Sequence, residues 1–333
     1  MQVQIIGGGA LGLLLAGRLV GAGNEVTLWV RTIEQALALE KKGVTVIGQD
    51  GGQNCYSGTG LIVRPMQDWS KTHANAHGQA SPAPTVVLLA TKQGAVGNIA
   101  ASMDKPINNL HIICFQNGVG HIEKISSLLP WARVRPAVTT EGAKRLDATT
   151  VVHAGSGQTE IGQDMSRGES EVDSSFLQNA DRVDELDEAL IALLNEAGFS
   201  SHMSNEIDTA IYRKLLFNSI INPLTAIWRI TNGELLRSER RVMLMKELYN
   251  EAIKIYQANG IAVDSNWWGE LLGVCRATAA NQSSMLADVL HERQTEITAI
   301  NGGIVHLAAK VGLAAPSHHM LLELIAGIQI EER

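Results

Sequence analysis

The stretch Met1-Gln-Val-Gln-Ile-Ile-Gly-Gly-Gly-Ala-Leu-Gly12 decides the fold of this chain. Val3 to Ile6 predict a short buried strand, and the pattern Gly7-x-Gly9-x-x-Gly12 follows it directly. The apolar run from Leu13 to Val20 then predicts a helix. A glycine turn between a strand and a helix is typical of dinucleotide-binding α/β domains of the Rossmann type. The N-terminal part is therefore expected to adopt this fold.

Each glycine of the turn has a physical task. The first makes the tight turn, the second lets backbone amides approach a pyrophosphate, and the third lets the helix pack closely on the strand. The phosphate is then held at the positive end of the helix. The residues expected to bind the cofactor here are Gly7, Gly9, Ala10, Leu11 and Gly12.

The next predicted strand, Glu25 to Val30, ends at Arg31. Enzymes that prefer NAD carry an acidic residue about 20 residues past the glycines, where it accepts the ribose 2′-hydroxyl. Here that place holds Arg31 and Thr32, and the first carboxylate is Glu34. A cation suits a 2′-phosphate, so the sequence favours NADP (NADPH/NADP+) over NAD. The alternative is an ordinary exposed arginine, with specificity decided elsewhere.

Composition narrows the class of protein. A chain of 333 residues with 45% hydrophobic content predicts two globular domains, and no apolar run approaches the roughly 20 residues of a membrane span. The net charge of −7 argues against a general nucleic-acid role. Three scattered cysteines and the lack of an export signal favour reduced thiols and a cytoplasmic location. The histidines show no metal-binding spacing, so no metal is expected.

The pattern along the chain changes near residue 205. Residues 1–204 are predicted to form the NADP-binding domain, and residues 205–333 an all-α domain that carries the substrate and the catalytic groups. Two polar stretches, Ser70–Pro84 and Gln163–Asp181, are expected to be inserted loops. The predicted strands of the first domain are Val3–Ile6, Val26–Val30, Thr85–Ala90, His111–Phe115, Arg133–Thr139, Thr149–Ala154, Gln158–Gly162 and Phe199–Met203. The predicted helices are Val183–Ala197, Glu206–Trp228, Ser238–Asn259, Trp267–Ala279 and Ser284–Val311, the last interrupted at Gly302-Gly303.

A polar stripe runs along the apolar segment Tyr212–Trp228. Lys214, Asn218 and Asn222 are spaced four residues apart, so they share one face of the predicted helix. An ammonium and two amides are costly to bury unless a partner satisfies them. That partner is either a small polar ligand or a structural network. Pro223 follows at once and is expected to free backbone carbonyls, because proline has no N–H to donate to the normal helical bond.

These motifs together resemble the ketopantoate reductase (2-dehydropantoate 2-reductase) family nearly end to end. The matching pieces are GGGALG at 7–12, Arg31, Thr91-Lys92, QNG at 116–118, HAGSGQTEIG at 153–162, RKLLFNSIINPLTA at 213–226, NGEL at 232–235, NQSSMLADV at 281–289 and TEITAINGG at 295–303. The resemblance implies an NADPH-dependent oxidoreductase that reduces 2-dehydropantoate to pantoate in pantothenate synthesis, on the coenzyme A pathway. Its partners are then the cofactor and a small 2-keto acid, and the long apolar helices leave room for a homodimer.

The resemblance also implies roles for single residues. Lys214 corresponds to the proton donor, and its ammonium can stabilise the alkoxide that hydride attack creates. Asn218, Asn222 and Ser284 correspond to residues that hold the substrate. Asn117 corresponds to a contact of the nicotinamide ribose next to the substrate. Lys92 is expected to touch the cofactor, with an ordinary surface lysine as the alternative.

Glu296 corresponds to a glutamate that binds the substrate hydroxyl beside the cofactor and orients the lysine. If one helix spans both Ser284 and Glu296, their twelve-residue separation places them about 120° apart. They then face one ligand only if Ser284 begins the helix, where a serine is also a natural N-cap. Asp288 and Glu292 lie on the same stripe as Glu296, so spacing alone does not select it.

Three other functions compete with this hypothesis. A related reductase could act on another 2-keto acid or an imine with the same groups. A non-catalytic NADP-binding sensor would be expected to lack Lys214 or Glu296, and both are present. A distant dehydrogenase of sugar phosphates or 3-hydroxy acids would be expected to carry a different lysine context. For phosphorylated substrates it would also carry a cluster of cations in the helical half, and no such cluster adjoins the Lys214 stripe.

Overall fold

The computed structural model describes residues 1–73, 84–103, 105–164 and 177–328. The chain divides into two compact units. One comprises Met1–Gln116 and His121–Ile207, and the other comprises Asn117–Gly120 and Asp208–Arg333. The first is an α/β unit and the second is helical, which confirms the predicted fold class.

The α/β unit alternates strands and helices. Its strands are β1 (Gln2–Ile6), β2 (Val26–Val30), β3 (Val44–Ile47), β4 (Gln53–Tyr56), β5 (Leu61–Pro65), β6 (Thr85–Leu89), β7 (Leu110–Cys114), β8 (Arg133–Thr139), β9 (Gly142–Arg145), β10 (Thr150–Gly155), β11 (Gln158–Ile161) and β12 (Ser200–Met203). Its helices are α1 (Ala10–Gly21), α2 (Ile33–Lys42), α3 (Trp69–His73), α4 (Val96–Ser102), α5 (His121–Leu128) and α6 (Leu177–Glu196). The predicted strands are confirmed to within one residue at their ends, whereas β3, β4, β5 and β9 were not predicted.

The larger sheet of the described residues has the order β12-β11-β8-β7-β6-β1-β2-β5. The strands from β5 to β8 are parallel, and β11 joins β8 antiparallel. Every residue of β6 and β7 is buried, as expected for parallel strands covered on both faces. From β1, the chain adds β2 and then β5 toward one edge of the sheet. It then returns to the other side of β1, where β6, β7 and β8 are added toward the opposite edge. The strand order therefore reverses between β1 and β6, where open α/β sheets bind ligands at the carboxyl ends of their strands.

A second sheet, with the order β4-β3-β10-β9, packs on the opposite side of α1. Two glycines of α1 allow this close approach. A Cβ added at Gly17 would lie 2.5 Å from Val46 Cγ2, and one at Gly21 would lie 2.5 Å from a ring carbon of Tyr56. The helix that follows the glycine turn is thus fixed between two sheets.

The helical unit is built from α7 (Ile207–Trp228), α8 (Glu239–Ala258), α9 (Trp267–Ala277), α10 (Ser284–Leu290), α11 (Ile297–Lys310) and α12 (Pro316–Ile328), with a 3₁₀ turn at Asn232–Arg237. Apolar side chains from all six helices form one core. The predicted helix over Ser284–Val311 is wrong, because the chain leaves the helical path between α10 and α11, where Glu292 has φ +53°. Helix α12 was not predicted.

Gly302-Gly303 does not interrupt α11, contrary to prediction. The expected close approach of a neighbour is present, since a Cβ on Gly303 would lie 3.0 Å from Val119 Cγ2. The predicted loops are corrected in part. Residues 70–73 end α3, residues 177–181 begin α6, and residues 74–83 and 165–176 lie outside the described part of the chain. None of the helices in the described residues has the length and hydropathy needed to span a bilayer.

Pro223 lies inside the continuous helix α7. Because proline has no N–H, the Ser219 carbonyl one turn earlier loses its helical partner. Asn301 Nδ2 donates to that carbonyl over 3.0 Å and also lies 3.1 Å from Nδ1 of His318. His318 Nε2 lies 3.1 Å from the Leu248 carbonyl, and burial lowers the His318 pKa. A neutral imidazole, accepting at Nδ1 and donating at Nε2, satisfies both contacts. The carbonyl that Pro223 frees is therefore bonded inside the core.

Candidate active site

The glycine turn joins β1 to α1 at the point where the strand order reverses. Gly7 has φ +127°, and a Cβ there would lie 2.6 Å from the Ala90 carbonyl oxygen. A Cβ on Gly12 would lie 1.8 Å from the Gly7 carbonyl oxygen, so no side chain fits. A Cβ on Gly9 would meet only the Ala90 oxygen, at 3.9 Å. Gly9 is the N-cap of α1, and no side chain caps that helix end. The turn thus presents backbone amides beside open space, which suits a pyrophosphate.

Two exposed cations follow strands that flank this turn. Arg31 comes directly after β2, and Thr32 then caps α2 by accepting a bond from the Gln35 N–H over 3.2 Å. Lys92 comes after β6 and precedes a 3₁₀ turn at Gln93–Ala95. Both therefore lie at the carboxyl edge of the sheet that carries the glycine turn.

Lys214, Glu296 and Asn117 meet in the helical unit. Asn117 Nδ2 donates to Glu296 Oε2 over 2.9 Å. The Glu296 carboxylate interacts electrostatically with the Lys214 ammonium. All three side chains are partly buried. The chain therefore brings together an ammonium, a carboxylate and an amide from three segments that are 82 to 179 residues apart in sequence.

Burial lowers the pKa of Lys214 to about 8, and the Glu296 carboxylate opposes part of that shift. With a pKa near 8 the ammonium is still largely protonated at neutral pH, but it releases its proton more readily than an exposed lysine. A pKa close to the working pH is what general acid catalysis favours.

The asparagines of the stripe lie on the following turns of α7. Asn218 is partly buried and Asn222 is buried. The start of α10 docks beside Asn222 through Thr225. Thr225 Oγ1 donates to the Asn222 carbonyl over 3.0 Å and lies 2.7 Å from Ser283 Oγ. The residue after Ser283, Ser284, is therefore placed close to the Asn222 turn with its side chain exposed.

The capping alternative for Ser284 is wrong. The N-cap of α10 is Ser283, whose Oγ accepts from the Leu286 N–H over 3.1 Å. The angular argument about Ser284 and Glu296 does not apply either, because they belong to different helices. Glu296 is itself the N-cap residue of α11.

The structure distinguishes Glu296 from the other two carboxylates considered. Asp288 accepts a bond from Arg293 Nε over 3.1 Å, and Glu292 is exposed in the linker between helices. Only Glu296 among these three accepts the Asn117 amide in the contacts that the structure describes.

Sequence reasoning missed several supporting residues. The hydroxyls of Ser283 and Thr225 join α10 to α7. Beside the glycine turn, Gln116 Nε2 donates to Thr91 Oγ1 over 3.3 Å. The QNG and NQSS motifs contained Gln116 and Ser283, but their contacts depend on tertiary structure. Within the described residues, no group of three or more His, Cys, Asp or Glu side chains is placed to hold a metal ion.

Comparison with known proteins covers nearly the whole chain. A family model described as "Ketopantoate reductase PanE/ApbA" matches residues 3–165, and one described as "Ketopantoate reductase PanE/ApbA C terminal" matches residues 206–329. A 2-dehydropantoate 2-reductase of Listeria innocua is 28% identical over 332 residues, which cover 99% of this chain and 98% of the relative.

Solved structures share the fold. A PanE/ApbA family ketopantoate reductase from Ralstonia eutropha JMP134 superposes with a TM-score of 0.81 at 24% identity, over 99% of this chain and 98% of the other. A D-mandelate dehydrogenase, in a ternary structure with NADH and anilino(oxo)acetate, gives 0.81 at 22% identity over the same shares. At these identities the two structures establish the fold alone. The two family models extend from the glycine turn through the Lys214 and Glu296 segments, and this chain belongs to the ketopantoate reductase family.

Proposed function

We propose that this protein is an NADPH-dependent 2-dehydropantoate 2-reductase, which reduces the 2-keto acid to pantoate. The observation that carries the proposal is the meeting of Lys214, Glu296 and Asn117 in a chain that matches such reductases end to end. In this proposal residues 1–204 bind the dinucleotide, and residues 205–333 supply the substrate-binding and catalytic groups.

The proposed reaction needs a hydride and a proton. Reduced nicotinamide supplies the hydride to the keto carbon, and the carbonyl oxygen gains negative charge as the bond forms. Lys214 stabilises that charge and donates its proton, so the product is a 2-hydroxy acid and the lysine is left neutral. Solvent then reprotonates it.

Glu296 has two tasks in this scheme. Its negative charge raises the pKa of Lys214 against the effect of burial, which keeps the donor protonated. Its Oε2 also holds the Asn117 amide, which is positioned at the nicotinamide ribose in the proposal. Asn218 and Asn222 on α7, together with Ser284 at the start of α10, supply hydrogen-bond donors for the substrate carboxylate and hydroxyl.

The cofactor is NADPH in this proposal because Arg31 occupies the position at which NAD-preferring proteins carry an acid. The amides at Gly9, Ala10 and Leu11 bind the pyrophosphate, while Gly7 and Gly12 shape the turn. Lys92 contributes positive charge on the neighbouring strand end.

The proposal is tested by following NADPH oxidation with 2-dehydropantoate, 2-ketoisovalerate and pyruvate. We expect strong preference for 2-dehydropantoate. Lys214→Ala should lower kcat by about 10²–10⁴-fold, the usual contribution of a positioned general acid, with NADPH affinity unchanged. Arg213→Ala is the matched control, because Arg213 is the neighbouring cation on α7 and pairs with Glu270 at 3.6 Å. Retained turnover in Lys214→Ala would contradict the assignment of the proton donor.

A second candidate is reduction of a different 2-keto acid by the same groups. The likeness to a D-mandelate dehydrogenase favours testing it, since that protein combines the same fold with NADH and another ligand. The assay therefore includes the 2-keto acid of mandelate and NADH. Turnover of that substrate without turnover of 2-dehydropantoate would select this candidate. NADPH binding without turnover of any keto acid would instead indicate a non-catalytic sensor.

We also propose a cytoplasmic location. Cys55 is exposed, Cys114 and Cys275 are buried, and none of the three forms a disulfide. An exposed free thiol suits a reducing compartment. Fractionation of cells that produce the protein, with detection in the cytoplasmic fraction, tests this.

A further inference from the structure

The carbonyl oxygen of Gly8, inside the glycine turn, accepts two side-chain hydrogen bonds. Gln35 Nε2 donates to it over 2.8 Å, and Arg145 NH1 donates to it over 2.9 Å. Gln35 Nε2 also donates to the Ala148 carbonyl over 3.0 Å. The glycine turn, the start of α2 and the β9–β10 hairpin are therefore joined at one point.

Gly8 is held closely by this arrangement. A Cβ on Gly8 would lie 2.6 Å from both Nε2 and Oε1 of Gln35, so the glutamine amide covers it directly. Gln35 lies in the first turn of α2, three residues after the Thr32 cap and four after Arg31. Gln35 therefore places the first turn of α2, which follows Arg31, against the Gly8 side of the glycine turn.

Arg145 reaches the same side from the second sheet. It ends β9, an edge strand, and its side chain is exposed. Because NH1 of Arg145 and Nε2 of Gln35 share one acceptor, the guanidinium lies next to the start of α2. Lys144 precedes it on the strand and points to the opposite face, since side chains alternate along a strand.

We propose that Arg145 is a second cation of the subsite for the adenosine 2′-phosphate of NADPH, with Gln35 as its positioning residue. This assignment rests on the proposed function. A guanidinium carries five N–H donors in a planar fork, so one group can hold the Gly8 carbonyl and bind phosphate oxygens as well. A 2′-phosphate carries nearly two negative charges, which Arg31 alone does not neutralise.

The pyrophosphate is a poorer partner for Arg145. In this fold the pyrophosphate is bound by backbone amides at the N-terminus of α1. Arg145 instead shares the Gly8 carbonyl with Gln35 of α2. Helix α2 begins two residues after Arg31, which is expected to contact the ribose 2′-position. Arg145 is therefore a determinant of NADPH over NADH, contributed by a strand outside the dinucleotide-binding β-α-β unit.

The test compares the full-length wild type with Arg145→Ala, Arg145→Lys and Lys144→Ala. Dissociation constants for NADPH, NADH, adenosine 2′-monophosphate and ADP are measured by fluorescence or calorimetry. We expect Arg145→Ala to weaken NADPH and adenosine 2′-monophosphate roughly tenfold to a hundredfold, as for loss of a charged hydrogen bond, and to leave NADH and ADP within about twofold. Arg145→Lys should recover part of the loss, and Lys144→Ala should resemble the wild type.

Several results would overturn the assignment. Equal weakening of NADPH, NADH and ADP would place Arg145 at the pyrophosphate or make it a support of the turn. An equal effect of Lys144→Ala would show a general charge effect, and unchanged NADPH affinity in Arg145→Ala would remove the residue from the subsite. A wild type that binds NADH as tightly as NADPH would overturn the proposed cofactor itself, and so is distinguishable from failure of Arg145 alone.

Discussion

The two units build their candidate sites in different ways. In the α/β unit, Gly7 to Gly12 are consecutive residues, and their geometry is imposed by steric limits that act within the turn and on one neighbouring strand. In the helical unit, Asn117, Lys214 and Glu296 come from distant segments and meet only when the helices pack. The geometry of the first site is therefore set by residues close together in sequence, whereas the second site depends on tertiary structure. Substitutions should separate these two kinds of dependence.

The largest effect is expected at Gly12. A Cβ there would overlap the Gly7 carbonyl oxygen at 1.8 Å, so Gly12→Ala should destabilise the protein by more than about 4 kcal/mol. Gly9→Ala is the matched control for stability, because the nearest atom lies at 3.9 Å and the backbone φ of −81° suits alanine. Thermal unfolding should show a large loss of Tm for Gly12→Ala and little change for Gly9→Ala.

Gly9→Ala should nevertheless weaken NADPH binding, because the added methyl group occupies space that the pyrophosphate needs. A folded Gly9→Ala variant with wild-type NADPH affinity would contradict the position of the pyrophosphate. The pair thus separates the structural from the ligand-binding task of neighbouring glycines.

A medium effect is expected at Asn301. Asn301→Ala removes the donor to the Ser219 carbonyl that Pro223 leaves without a helical partner. An unsatisfied buried carbonyl costs about 1–3 kcal/mol, so the free energy of unfolding should fall by about that amount in denaturant titrations. Thr298→Ala, at an exposed position on α11, is the control. A loss no larger than that of the control would show that Asn301 does not support α7.

The smallest effects distinguish adjacent serines. Ser283→Ala removes the cap of α10 and the contact with Thr225, and should cost about 1–2 kcal/mol of stability. Ser284→Ala should leave stability within about 0.5 kcal/mol, as is usual for exposed positions, and raise KM for the keto acid. Denaturant unfolding and steady-state kinetics on both variants measure this. The reverse pattern would exchange the roles of the two residues.

The sequence predicted the first site more fully than the second, for physical reasons. The glycine turn and its flanking strand and helix obey short-range rules of backbone geometry, so Gly7, Gly9 and Gly12 could be assigned directly. Lys214, Asn218 and Asn222 share a helix face, which periodicity also reveals. Spacing could not connect Glu296 to Lys214, because the two residues belong to different segments, 82 residues apart in sequence, and interact only when the helices pack.

Other features depend on contacts between distant segments. Apolar periodicity could not distinguish Ser283 from Ser284 as the cap, since both are serines at the start of the same apolar pattern and only the bond from the Leu286 N–H identifies Ser283. Three strands of the second sheet, β3, β4 and β9, were not predicted because they are short and partly exposed. Arg145 ends one of these short strands, so the sequence did not predict its hydrogen bond to the Gly8 carbonyl.

The central claim is that Glu296 acts on Lys214 to keep the proton donor charged. The direct measurement is kcat for keto-acid reduction as a function of pH, in wild type, Glu296→Gln and Glu292→Gln. Because the protonated lysine donates, activity should fall as pH rises through the Lys214 pKa of about 8. Removing the Glu296 charge lowers that pKa further, so the fall should move to lower pH, whereas Glu292→Gln should match the wild type. An unshifted or upward-shifted fall in Glu296→Gln would contradict the account.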